Sequence, residues 1–301
     1  MKRWIGLDIG GTEIKGALVD SSGNMTEPLA VKTPALEGRD RIMEAALGLI
    51  RSLEQSAEGS EICGIGIGTA GRVDRATGSI VYATDNMPGW TGTEIKKEIE
   101  KQFPYRVSVE NDVNAAAWGE AWLGSGKDVH SFMLVALGTG IGGAFVYEGS
   151  VLPGLRGGFA EIGHLIVDKD GVACTCGQTG CWETKCSGTA LSRIAKSVDP
   201  EWSSRYLVQA YEEGNKEATE AMNVYLSDLA RGLISVQQGY DPEVIILGGG
   251  VSDGYPLWSK ELNEKLEEMC VLPIRLAKAE LGNRAGIIGA VKWAMTDQTT
   301  K

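Results

Sequence analysis

Residues 132–152, FMLVALGTGIGGAFVYEGSVL, run from an apolar segment through a glycine-rich turn into a second apolar segment. Residues 4–20, WIGLDIGGTEIKGALVD, have the same layout. Short apolar runs bounded by glycine predict strands. Two copies of strand, glycine turn and strand predict a duplicated half rather than a short-period repeat. Successive N–H groups in such a turn can cup an anion, and glycine lets the backbone come close to it. Gly10, Gly11 and Thr12 form one candidate phosphate turn, and Gly138, Thr139 and Gly140 form its echo. Asp8, at the end of the first strand, is placed to hold Mg²⁺ through water. GTGIGG (138–143) also matches the dinucleotide fingerprint, but that reading requires a helix directly afterwards. The strand-like AFVYEG follows, so the fingerprint is rejected. GSGK (124–127) reads as a solvated turn.

Working outward, PLAVKT, ICGIGIG and RVSVEND read as strands. Residues 39–57, with apolar positions at helical spacing, predict a helix. GTEIKKEIEKQF (92–103), the alanine-rich VNAAAWGEAWLG (113–124), 188–196, 216–239, PLWSKELNEKLEEMC and AGIIGAVKWAMT are also expected to be helical. EVIILGGG and IRLAKAE are further strands, the first opening into Gly248, Gly249 and Gly250. The expected fold class is α/β, with mixed sheets. An N-terminal lobe spans 1–120 and a C-terminal lobe 121–285, with a metal-binding segment at 164–183. The helix at about 286–301 is expected to return to the first lobe.

A chain of 301 residues with 43% hydrophobic content favours two compact lobes. A net charge of −11 argues against nucleic acid as a partner, because phosphate backbones need a basic face. No apolar run reaches membrane-spanning length. No signal-peptide pattern precedes the first strand, so a cytoplasmic, reducing location is expected.

CTCGQTGCWE (174–183) follows EIGH (161–164) closely. His164, Cys174, Cys176 and Cys181 are soft or borderline ligands suited to a closed tetrahedral structural Zn²⁺ site. A disulfide or plain buried thiols are the alternatives. Cys63, Cys186 and Cys270 read as ordinary thiols, although Cys186 is near enough to leave the choice of ligands open. Glu161 and Glu183 flank the segment and could hold a polar ligand. VEND (109–112) ends a strand in polar residues. Asp112 is either a proton acceptor for a substrate hydroxyl or a helix N-cap. Asn86, in NMPGW, is either a turn residue or a ligand contact. His130 reads as a loop residue.

DIGGT, IGIGTAGRVD, NMPGW, ENDVNAAAWGE, LGTGIGG, EIGH, CTCGQTGCWE, ILGGG and AGIIGA occur in an order that resembles the ROK family over essentially the whole chain. That family comprises sugar kinases and sugar-responsive repressors. The resemblance implies the actin-like ATPase (ribonuclease H-like) fold, with a cleft between two α/β lobes. It implies that Asp112 is the catalytic base and that Asn86, Asn111, Glu161, His164 and Glu183 hold sugar hydroxyls. It assigns Asp8 and the glycine turns to Mg-ATP, with Gly248–Gly250 near the adenosine, and His164 with the three cysteines to zinc. It further implies a homodimer. The implied activity is ATP-dependent phosphorylation of a hexose 6-hydroxyl. Glucose is the leading substrate, with N-acetylmannosamine, another amino sugar or a β-glucoside as the alternative. A regulator is the lesser alternative, since no DNA-binding element is visible. Two positions depart from the family pattern: Ala160, where glycine is usual, and Cys186, where an aliphatic or aromatic residue is commoner.

Overall fold

The computed structural model describes residues 1–57, 59–84 and 86–297. Its elements, in chain order, begin with β1 (Lys2–Ile9), β2 (Glu13–Asp20), β3 (Leu29–Lys32), α1 (Arg39–Ser56) and β4 (Glu61–Thr69). Next come β5 (Arg72–Asp74), β6 (Ser79–Tyr82), α2 (Ile95–Glu100), β7 (Val107–Asn111) and α3 (Asp112–Leu123). The second half contains β8 (Ser131–Leu137), β9 (Ile141–Tyr147), β10 (Ser150–Val151), α4 (Glu183–Cys186), α5 (Gly188–Val198), α6 (Ser204–Glu212) and α7 (Lys216–Tyr240). It continues with β11 (Val244–Gly248), α8 (Tyr255–Met269), β12 (Leu276–Lys278) and α9 (Ala285–Thr296).

The two large sheets share one topology. The first is ordered β3-β2-β1-β4-β7 and the second β10-β9-β8-β11-β12. In the first, β1 pairs antiparallel with β2 and parallel with β4, and β4 runs parallel to β7. In the second, β11 runs parallel to both β8 and β12, and β10 is antiparallel to β9. The expected duplication is therefore present as five corresponding strands. β4 and β11 are buried along most of their length, as expected of parallel strands covered on both faces.

The chain forms two compact units. Met1–Asp128, Phe145–Phe159 and Glu280 onward make the first, and Val129–Ala144 with Ala160–Ala279 the second. The sequence places boundaries at 120 and 285, whereas the contacts also group 145–159 with the first unit. The first unit's main core joins Ile5, Leu7 and Ile9 of β1 to Ile42, Ile50 and Leu53 of α1, with Trp90 beneath. On the other side of that sheet, Ile287 and Val291 of α9 pack on Ala17 and Val19 of β2. α9 and α3 approach so closely that a Cβ at Gly289 would lie 1.6 Å from the Ala115 carbonyl oxygen. Glu120, fully buried on α3, ties the chain ahead of α9 in place. Its carboxylate accepts the N–H groups of Ser125, Glu280 and Leu281 at 2.9, 3.2 and 2.9 Å.

In the second unit, Met222, Tyr225, Leu229, Leu233 and Val236 form the buried side of the long α7, which packs against α8, where Trp258 and Leu262 are also buried. Two helix expectations need correction. The helix expected over 92–103 contracts to α2, because residues 101–105 turn to feed β7. The helix expected at 188–196 extends to Val198. A helix not anticipated, α6, lies between α5 and α7, its N-terminus capped by Ser203, whose hydroxyl accepts the Tyr206 N–H. The closing helix matches through Thr296, and residues 298–301 of its expected span lie outside the described residues. Among the described residues, no helix is long and apolar enough to cross a membrane.

Candidate active site

In the first unit, β1, β4 and β7 bring the candidate residues to their carboxyl ends, where open α/β sheets bind ligands. β7 runs directly into α3. Asn111 caps that helix, its Oδ1 accepting the N–H groups of Val113 and Asn114 at 3.0 and 3.1 Å. The N-cap alternative for Asp112 is thereby corrected: Asn111 is the cap and Asp112 is the first helical residue. Asp112 Oδ1 accepts from Asn111 Nδ2 and from the Val113 N–H, both at 2.9 Å. Asn111 Nδ2 also donates to the Gly71 carbonyl at 2.9 Å. The carboxylate is thus anchored at a strand-to-helix junction.

Asp8, on β1, is partly buried. Burial pushes its carboxyl up to about 7, and the charge of Asp112 adds to this while Lys15 opposes it. The two carboxylates are thus close enough for the charge of one to act on the other. The turn at 10–12 is pinned by Thr33, which the sequence reading missed. Its hydroxyl donates to the Gly10 carbonyl at 2.6 Å and its N–H to the Thr12 carbonyl at 2.9 Å. Thr33 sits just past a short strand, where nothing local marks it. Asn86 is exposed in a turn closed by the Met87 N–H on Thr84. Its carbonyl lies 3.9 Å from where a Cβ at Gly11 would be, so this loop borders the first glycine turn.

In the second unit, the turn joining β8 to β9 holds Gly138, Thr139 and Gly140. Gly138 N–H donates to the Gly140 carbonyl at 3.0 Å. The start of α5 braces this turn: Gly188 N–H donates to Gly138 at 2.7 Å, and the Thr189 hydroxyl to Thr139 at 2.7 Å. Gly248, Gly249 and Gly250 follow β11. Gly249 has φ +80°, and a Cβ there would meet the Leu137 carbonyl oxygen at 2.6 Å, so the position requires glycine.

The metal segment is a compact knuckle. Val167 and Asp168 N–H groups donate to Gly180, Trp182 N–H to Leu165, and Cys174 N–H to Gln178. One ligand atom from each of His164, Cys174, Cys176 and Cys181 lies within 4.8 Å of the others. Cys174 Sγ is 3.6 Å from His164 Nδ1, and Cys176 Sγ is 3.6 Å from Cys181 Sγ. A tetrahedron with Zn–S arms of about 2.3 Å has edges of about 3.8 Å, so the donor set fits that ion. Burial, with the adjacent Glu183 carboxylate, pushes the Cys174 thiol up to about 12, and burial also raises Cys181. A dication at the cluster would stabilise all three sulfurs as thiolates together. Cys186 is buried on α4 and lies outside the cluster.

Glu183 lies between the knuckle and the glycine turn. Its Oε1 accepts from the Cys174 thiol at 2.9 Å, and its Oε2 accepts the Ile141 N–H at 3.3 Å. Glu161 is partly buried, and its carbonyl accepts the His164 N–H at 3.1 Å within a short 3₁₀ turn. The preceding Ala160 has φ +61°, a left-handed conformation that suits glycine.

The ROK family matches residues 4–297. The glucokinase of Streptomyces coelicolor is 35% identical, over 96% of each chain. The N-acetyl-D-glucosamine kinase of Vibrio atlanticus is 30% identical, covering 95% of this chain and 98% of its own. Among solved structures, a ROK family glucokinase from Streptomyces griseus, in complex with glucose and AMPPNP, superposes with a TM-score of 0.85. It is 31% identical and covers 98% of this chain and 100% of its own. With the mixed α/β architecture and duplicated sheets described above, the chain has the actin-like ATPase fold and belongs to the ROK family.

Proposed function

We propose that the chain is an ATP-dependent hexose kinase that transfers the γ-phosphoryl group to the 6-hydroxyl of glucose. The observation that carries this reading is Asp112, fixed at the β7–α3 junction by Asn111 and electrostatically coupled to Asp8, in a chain 35% identical to a glucokinase. Asp112 takes the proton from the sugar hydroxyl as its oxygen attacks phosphorus. General-base help of this kind contributes about 10²–10⁴-fold. Asn86, Asn111, Glu161, His164 and Glu183 are assigned to sugar hydroxyls. N–H groups of the turns at Gly10–Thr12 and Gly138–Gly140 are assigned to the phosphates, and Gly248–Gly250 to the adenosine. Asp8 would hold Mg²⁺, which when bound neutralises charge on the phosphate oxygens. His164, Cys174, Cys176 and Cys181 would hold a structural Zn²⁺. The reading includes a homodimer in the cytoplasm.

Asp112→Asn tests the assignment of the base. It keeps size and much of the hydrogen bonding, so kcat should fall by at least about 10²-fold with sugar affinity little changed. Turnover close to the parent would refute the base. N-acetylglucosamine is the second substrate reading, supported by the Vibrio kinase at 30% identity. The two sugars differ at C2, where a site built to bond a hydroxyl rejects a group that removes the donor.

A further inference from the structure

Beneath Asn111 and Asp112 lies a buried ion pair that none of the assigned roles uses. Glu110, the residue before Asn111 on β7, is 1% exposed. Its Oε1 accepts the Asn111 N–H at 2.8 Å and Asn114 Nδ2 at 3.1 Å, so one oxygen grips both the end of the strand and the first turn of α3. Its Oε2 accepts from Arg75 Nε at 2.5 Å, and Arg75 Nη2 closes on the same oxygen.

Arg75 is itself held on three sides. It projects from the β5–β6 turn, where Asp74 Oδ1 accepts the Ala76 N–H at 2.9 Å and the Gly78 N–H bonds back to the Asp74 carbonyl. Arg75 Nη1 donates to the Val151 carbonyl at 3.2 Å, in the 145–159 segment of the same unit. Its guanidinium carbon lies 4.6 Å above the Trp293 ring of α9, and Trp293 packs on Trp118 of α3 with centroids 5.7 Å apart. A planar guanidinium can pair with a carboxylate, bond a carbonyl and stack on an indole together, whereas an ammonium group cannot.

We propose that Arg75 and Glu110 are positioning residues for the base. Arg75 fixes Glu110, and Glu110 fixes the Asn111 backbone and the Asn114 side chain. Together these set where the Asp112 carboxylate points. The proposal rests on the reading that Asp112 takes the proton. The pair could instead serve stability alone. Removing one partner of a buried pair leaves an uncompensated charge, while replacing both is often tolerated. The double variant R75M/E110Q therefore separates the two roles. It removes both charges but leaves an amide oxygen to accept from Asn111 and Asn114.

The test compares kcat, KM for ATP and glucose, and the thermal midpoint in R75K, R75M/E110Q and D112N. In the double variant, the midpoint should lie near that of the parent while kcat stays ten- to a hundredfold or so lower, since small misplacement of a catalytic group is costly. KM for both substrates should remain within about threefold. R75K, which keeps the charge and the fold, should lose kcat in the same way and decides the matter alone if the double variant does not fold. Parental kcat in either folded variant, or kcat recovering with the midpoint, would overturn the positioning role. If D112N keeps parental turnover, the base assignment itself fails. If only D112N loses turnover, the positioning role fails and the base stands.

Discussion

Ala160 adopts φ +61° immediately before Glu161, with its side chain buried. An L-residue with a Cβ pays about 1 kcal/mol or more in this region. Ala160→Gly should therefore raise the thermal midpoint by roughly 2 °C, and differential scanning calorimetry checks this; a lower midpoint would show that Ala160 contributes packing that outweighs the strain. Asp8 gives a pH signature. Its folded-state value, raised to about 7 from 3.8, means that the folded protein holds the proton more tightly than the unfolded chain. The wild type consequently loses stability as pH rises between those values. In metal-free, nucleotide-free protein, Asp8→Asn should leave stability nearly unchanged near pH 4. It should then stabilise increasingly up to pH 7 and level off above. A gain independent of pH would contradict the assigned cause. Some of this detail was open to sequence reading. EIGH preceded by alanine marked position 160 as unusual, and DIGG marked Asp8. The coupling of Asp8 to Asp112 was not legible, because it joins β1 to the start of α3 across more than a hundred positions.

Buried side chains tie junctions between elements of the first unit. Glu120 satisfies three backbone donors from two separate segments. Glu120→Gln places an NH₂ group where only acceptors fit, and should cost about 1–3 kcal/mol in urea denaturation. A change within experimental error would mean that the amide finds other partners. At the α3–α9 contact, Gly289→Ala should also destabilise by at least about 1–3 kcal/mol, since the Ala115 carbonyl occupies the space. Elements with strong periodicity were legible: α1, α7 and α8 follow their apolar spacing, and the glycine turns punctuate the strands as expected. α6 was not read, because SRYLVQAYE is short and mixed in polarity, and its Ser203 cap resembles any loop serine. The sequence offers Asp112 as the cap of α3 only as one alternative, one residue late, because VEND presents adjacent Asn and Asp, both good caps. Only the geometry shows which oxygen meets the amides.

At the scale of the whole molecule, the duplicated sheets follow from two similar glycine-centred hairpins, and this was visible in 4–20 and 132–152. The grouping of 145–159 with the first unit was not visible, since it depends on contacts such as Arg75 with Val151 rather than on local composition. The knuckle was the most legible part of the candidate site, because its four candidate ligands are close in sequence and close in space. Elemental analysis should find about one zinc per chain, and chelation should lower the thermal midpoint. A folded, active protein free of metal would refute the assignment. Sugar choice is a finer matter. If Glu161 meets the C2 side of the sugar, Glu161→Ala should narrow the preference for glucose over N-acetylated hexoses from at least roughly tenfold.

The most direct measurement is ADP release with product identification, using metal-replete protein, Mg-ATP and a panel of glucose, N-acetylglucosamine, N-acetylmannosamine and fructose. The account predicts sugar-dependent ADP release, one phosphate transferred to the 6-hydroxyl per ADP, and the highest kcat/KM with glucose. Preference for an N-acetylated hexose would contradict glucose as the substrate, and no sugar-dependent ADP release with any member of the panel would contradict the kinase.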